Sequence, residues 1–330
     1  MPLKPPRRRR GVPRAQAPAP LSLRRVRTYP LGKRPSKVGR GDLGRPHVYG
    51  ASVASFLDSL PQILGAASLR ALAADVLAAH ARSRPIIWGI GAHVIKTGLS
   101  PVLLDLMDRG FLTGLAMNGA GIVHDFELAV AGKTSEDVAE TLGEGNFGMA
   151  RETGEILNRA IKRGARSALG LGEAVGRELL RINPRHIDLS LVAGAVRRGL
   201  PVTVHVAIGT DIIHMHPACD GAAVGKASHL DFRIFAAQVA RMGDGGAYLN
   251  VGSAVLLPEV FLKALTVARN LGHDVTGITT ANLDFIQSYR PNTNVVRRPT
   301  RDSGRGYSLT GHHEILIPLL AAALIEGSGL

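Results

Sequence analysis

Apolar runs alternate most sharply with glycine-bearing breaks between Arg84 and Lys133. Pro85–Ile90 is a short apolar run ending at Gly89 and Gly91, which predicts a buried strand and a tight turn. Ser100 and Pro101 open a helical segment that reaches about Gly110. Leu112–Met117 is the next buried strand, and Asn118-Gly119-Ala120-Gly121 turns it into a helix over Ile122–Ala131. Two consecutive strand–turn–helix units predict a parallel sheet, because parallel neighbours need a crossover. Ligands of such sheets bind beyond the carboxyl ends of the strands, where these small-residue turns lie.

The same reading carries through the chain. Helices are predicted over Ser52–Leu64, Ser68–Arg82, Thr134–Leu142, Met149–Arg163, Leu171–Arg181, Ile187–Gly199, His229–Met242, Leu257–Gly272 and Glu314–Ile325. Strands are predicted over Pro201–Ala207, Ala247–Val251 and Val275–Thr280, the last of these being the final parallel strand. Tyr289–Gly306 reads as a long polar loop. The fold class expected is α/β: a Rossmann-like parallel sheet with helices on both faces, built as one domain over residues 49–330. Gly89-Ile90-Gly91 supplies half of a dinucleotide fingerprint, but Val94 stands where the third glycine belongs. A tight turn with no ligand explains that pair as well.

Charge changes the picture at one end only. Residues 1–48 hold 14 Lys and Arg against one acid, Asp42, so +13 of the net +14 lies there and the rest of the chain is nearly neutral. Residues 1–20, rich in Pro and Arg without periodicity, are expected to be disordered. Residues 21–50 read as an extended arm. Arg7–Arg10 offer a contact to nucleic acid or an acidic surface, with a solvated tail as the plainer reading. No secretory signal follows the arginines, and the longest apolar run, Ile315–Ile325, is too short to span a bilayer. The single Cys219 excludes an internal disulfide framework and fits a cytoplasmic protein.

Candidate chemistry gathers in the histidines, 12 in all. His205, His214 and His216 fall close to Asp211 and Asp220; His124-Asp125 follows the second turn; His312-His313-Glu314 opens the last helix. Imidazole titrates near neutrality, so His124, His214 and His312 are candidates for acid–base work, with Asp125 or Glu314 to orient them. The alternative is a metal ion held by His205, Asp211, His214, His216 and His312. The plain reading of any single histidine remains structural.

Gly91-Ala92-His93, the 118–125 segment, Pro201–His216, Leu249–Ala254, Thr279–Asn282 and His312–Leu320 occur in an order and spacing that resemble deoxyhypusine synthase over residues 50–326. The resemblance implies an NAD site at Gly91, Ala92 and His93, at Asn118, Gly119 and Ala120, at Gly252 and Ser253, and at Thr280, Ala281 and Asn282. It implies a homotetramer and redox or transfer chemistry at a C–N bond of a small, polar, polyamine-like substrate. The family carries its intermediate on a lysine near the end of the chain. Between Asn282 and His312 this sequence has five arginines and no lysine. Arginine stays protonated and does not replace a nucleophilic amine, so authentic deoxyhypusine synthesis is not expected. The remaining alternatives are a metal-assisted hydrolase and a non-catalytic module that binds through its basic arm.

Overall fold

A computed structural model of the protein describes residues 19–329. Most of the stretch expected to be disordered lies outside the described residues. The chain divides into two compact units, residues 1–40 and 41–330. In the first, short 3-10 turns at Leu23–Arg25 and Leu31–Lys33 interrupt extended backbone, and its described residues are exposed.

In the second unit, α1 (Val53–Ser59) and α2 (Leu64–Ala81) lead into β1 (Ile86–Ile90). A four-residue α3 (His93–Lys96) and α4 (Ser100–Asp108) precede β2 (Gly114–Asn118) and α5 (Gly119–Ala131). The short α6 (Val138–Thr141), α7 (Arg151–Arg166), α8 (Leu171–Ile182) and α9 (Leu191–Arg197) lead to β3 (Val202–His205). Then come α10 (Gly221–Ala240), β4 (Ala247–Val251), α11 (Leu256–Asn270) and β5 (Thr279–Asp284). A helical turn α12 (Tyr289–Pro291) runs into a π-helical stretch, Asn292–Arg297, before β6 (Arg305–Thr310) and α13 (His313–Ser328).

All six strands are parallel, in the order β3-β2-β1-β4-β5-β6. The α/β class expected from the sequence is therefore the observed one. Side chains alternate across the sheet. Trp88, Ile90, Met117, Leu249 and Leu283 join α2, α4 and α13 in one core. Ile87, Ala116 and Tyr248 join α10 and α11 in a second core on the other face. Strand order reverses between β1 and β4, and that reversal creates a crevice at their carboxyl ends.

Several expectations need correction. The helix expected over Ser52–Leu64 ends at Ser59, the helix expected from His229 starts at Gly221, and the turn expected over Asn118–Gly121 is the start of α5. The expected loop at residues 289–306 contains a π-helical turn and leads into a sixth strand. β6 lies at the sheet edge and is mostly exposed, so no apolar run announces it. Arg305 and Tyr307 tie it to α2 through Asp75, whose carboxylate accepts from both and from Thr279. The strand expected over Val275–Thr280 instead spans Thr279–Asp284. The helix expected over residues 134–142 shrinks to Val138–Thr141, capped by Asp137.

Candidate functional site at the carboxyl edge of the sheet

The turns after β1 and β4 meet at the point of reversal. Gly91 donates its N–H to Val251 O at 2.8 Å, and a Cβ on Gly91 would overlap the Gly252 carbonyl. Gly252 has φ +65°, and a Cβ there would stand 2.8 Å from Cε1 of His313. Glycine is required here for conformation and for closeness together. The companion Gly89 answers a different demand. A Cβ on it would overlap the hydroxyl of Tyr248, a buried ring stacked on Phe261 at 4.0 Å. The half fingerprint is thus explained by packing within the fold.

His313 is the first residue of α13 and is 2 % exposed. Its Nε2 lies 3.3 Å from Leu283 O and 3.6 Å from Asp284 Oδ1. A carbonyl only accepts, so Nε2 carries the proton and Nδ1 is left with a lone pair. That Nδ1 is buried without a hydrogen-bond partner. Burial, opposed by Asp284, holds the His313 pKa below its ordinary value. The His93 ring stands 5.6 Å away, edge-on. His312, the expected candidate, is instead exposed at the rim, where it stacks parallel to Phe285. Glu314 is exposed beside it, 3.8 Å from His312 Nδ1.

The other expected residues find separate partners. Asp125 is fully buried and accepts from Ser190 Oγ at 2.5 Å and Leu191 N at 2.6 Å, which makes it the anchor of α9. Burial raises its pKa to about 6 against those bonds. His124 and Asp125 have different partners. Its Nδ1 is 2.7 Å from Thr134 Oγ1, which donates to Glu127 at 2.5 Å beside a cavity of about 670 Å³. Burial, helped by Lys96, lowers the His124 pKa to about 4. Asn118 caps α5 by accepting from Gly121 N, and Asp211 lies against Gly119 where a Cβ would overlap its carboxylate. Asp211 Oδ2 and His214 Nε2 are both buried without partners.

His205 packs its ring on Phe235 at 5.3 Å and bonds to Thr203, with burial lowering its pKa to about 4. His216 packs on Gly154 of α7. The set His205, Asp211, His214, His216 and His312 is therefore dispersed, and among the described residues no three of His, Cys, Asp and Glu are grouped to hold a metal ion. Ser253 Oγ accepts from Leu257 N and starts α11. Thr280 donates to Val295 O, Ala281 is core, and Asn282 accepts from Asn250 Nδ2 at 2.7 Å across the strand pair. These last residues lie inside the sheet rather than on its rim.

The comparisons with known proteins find likeness in structure alone. No family model and no curated protein matches the sequence. An LOR/SDH candidate from Methanococcus maripaludis S2 superposes with a TM-score of 0.51 at 15 % identity, over 82 % of this chain and 72 % of that one. A mutant of AgrE solved with L-arginine gives 0.51 at 15 %, over 79 % and 33 %. A candidate deoxyhypusine synthase from Entamoeba histolytica gives 0.49 at 11 %, over 86 % and 97 %. The likeness is one of fold. The chain spans about a third of the length of AgrE and of ArgZ, a cyanobacterial arginine dihydrolase. AgrE is also known in a complex with ornithine and NAD+.

Sequence reasoning missed His313 and Asp284. Asp284 was hidden by ending β5 four residues early, and His313 by its more prominent neighbour at the cap. Both lie where a strand and a helix meet, and a strand extended through its polar residues would have reached the first.

Proposed function

We propose that the chain is an NAD-binding enzyme that performs redox or transfer chemistry at a C–N bond of a small polar substrate. The observation that carries this reading is the buried, partnerless Nδ1 of His313, oriented through Nε2 by Leu283 O and Asp284 at the reversal of strand order. In a sheet of this order a dinucleotide crosses that crevice. The residues that would hold one are the turns after β1 and β4, brought together at Gly91 and Gly252, and His313, which supplies a polar atom that lacks a partner. Asp211 at the start of α5 would meet hydroxyl groups there rather than phosphate.

When bound, the dinucleotide supplies a two-electron hydride acceptor. His313 Nδ1 would take the proton that leaves the substrate nitrogen. Asp284 steadies the imidazolium formed, as a carboxylate behind a histidine base does. His93 and the Phe285–His312 stack form the rim that would admit the substrate. By resemblance we also propose a cytoplasmic homotetramer, with any nucleic-acid contact confined to the basic arm. The test of the chemistry is turnover of NAD with amine substrates by wild type and by His313→Gln. Loss of about a hundredfold or more in kcat is expected, and unchanged turnover would exclude His313 as the base.

A further inference from the structure

The opposite, amino edge of the sheet carries features that the chemistry above does not use. Two cavities open there side by side. One, of about 330 Å³, is lined by His80, Ser83, Arg84, Thr113, Gln238 and Arg241 and has no carboxylate in its wall. The other, of about 390 Å³, shares Ser83, Arg84 and Arg241 and adds Asp244 and Asp274.

Helices end at this edge, and their carbonyl ends attract cations without any ligand. That accounts for two of the arginines. Arg82 follows α2 and donates to Ala78 O at 3.2 Å. Arg84 donates to Asp244 at 2.6 Å, and Arg82 lies 3.6 Å from the same carboxylate. Arg241 follows α10 and is different: among the described residues its side chain has no carboxylate or carbonyl partner. Gln238 adds an independent sign. Its Nε2 is buried without an acceptor, and its Oε1 is wedged over Gly114, where a Cβ would overlap it. A buried donor left unmade is costly. Gln238 lines a cavity whose other polar side chains are the Ser83 and Thr113 hydroxyls, the His80 imidazole and the guanidinium groups of Arg84 and Arg241.

We propose that this cavity is a second ligand site, one that takes a small oxyanion, with Arg241 as its principal donor and Gln238 in its wall. The recognising chemistry is a phosphate or carboxylate group, and nothing in the proposal depends on NAD or on His313. The site lies at the far end of the sheet from the proposed catalytic crevice, so its occupant would act as an effector or a stabilising ion.

The test uses the full-length protein and thermal unfolding in sodium phosphate, in sodium malonate and in sodium chloride at matched ionic strength. One oxyanion is expected to raise Tm by about 2 to 4 °C over chloride. Whether phosphate or malonate does so assigns the source of the anion. Arg241→Ala, an exposed position whose Tm in chloride should match wild type, is expected to abolish the rise. The proposal is overturned if neither anion raises Tm. It is also overturned if Arg241→Ala keeps the full rise, because the ion then binds elsewhere, for instance at the arginine-rich arm. Arg241→Glu gives the same decision with a repelling charge and guards against a residual contact.

Discussion

Nε2 of His313 lies 3.6 Å from Oδ1 of Asp284, with Leu283 O at 3.3 Å on the same nitrogen. The pair joins the last residue of β5 to the first of α13, at the carboxyl edge of the sheet one strand from the reversal at β1 and β4. It fixes the tautomer and leaves Nδ1 bare and buried. Asp284→Asn is predicted to keep the ring in place but to remove the charge that would steady an imidazolium. The measurement is kcat against pH: the basic limb should drop by about tenfold or more while KM moves little. An unchanged profile would show that Asp284 only fills space.

Asp125 was a catalytic candidate on sequence grounds, and its contacts give it a structural task. Three donors from Ser190, Leu191 and Val192 converge on its carboxylate. Asp125→Ala should therefore cost about 3 kcal/mol of stability, because several buried donors lose their acceptor at once. Urea unfolding measures the loss. Folded Asp125→Ala protein that binds NAD as wild type does would complete the case, whereas wild-type stability would refute it.

Tyr248 carries a buried hydroxyl with no partner, pressed against Gly89. Burial pushes its pKa well up. Tyr248→Phe removes an unsatisfied polar atom and should leave Tm unchanged or higher. Gly89→Ala should cost about 1 to 3 kcal/mol by overpacking, and the double variant should recover part of that. No recovery would mean that Gly89 serves some group other than the phenol.

His205 is buried neutral, its pKa held to about 4 rather than 6.5. As pH falls below about 6.5 the unfolded chain takes up the proton first, so stability is lost between there and about pH 4, by up to roughly 3 kcal/mol. Asp231 works in the opposite sense. Its pKa is raised to about 7 by burial, so acidification over the same range favours the fold. Asp231→Asn should therefore lose more Tm than wild type between pH 6.5 and about pH 4.5, while His205→Leu should lose less. Equal losses in all three proteins would contradict this assignment.

The sequence made the general architecture legible because its first two strand–turn–helix units are apolar where strands are buried. The carboxyl edge was harder to read. β5 is fully buried, yet Thr279, Thr280, Asn282 and Asp284 are polar. They are tolerated because each is bonded: Thr280 to Val295 O, Asn282 to Asn250 and Gln287, Thr279 to Asp75, and Asp284 by accepting from Phe285 N. A rule that looks for apolar runs stops short of Asp284. β6 escapes the same rule by lying on the edge. The adjacent His312 and His313 look alike in sequence, and only the cap geometry sends the second inward. The turn expected over Asn118–Gly121 is absent, because β2 ends at Asn118 and α5 starts at Gly119, and Asp211 lies against that first helical glycine. That long-range contact has no signature in the spacing.

The most direct measurement is calorimetric titration of the full-length protein with NAD, beside Gly252→Ala. A Cβ at residue 252 would stand 2.8 Å from the His313 ring, on a backbone with positive φ, so it should displace the ring from the crevice. Wild type is predicted to bind NAD with measurable heat and a raised Tm. Gly252→Ala, still folded by circular dichroism, is predicted to bind at least tenfold more weakly. Absence of heat and of any thermal shift in the wild-type protein at millimolar NAD would contradict the account.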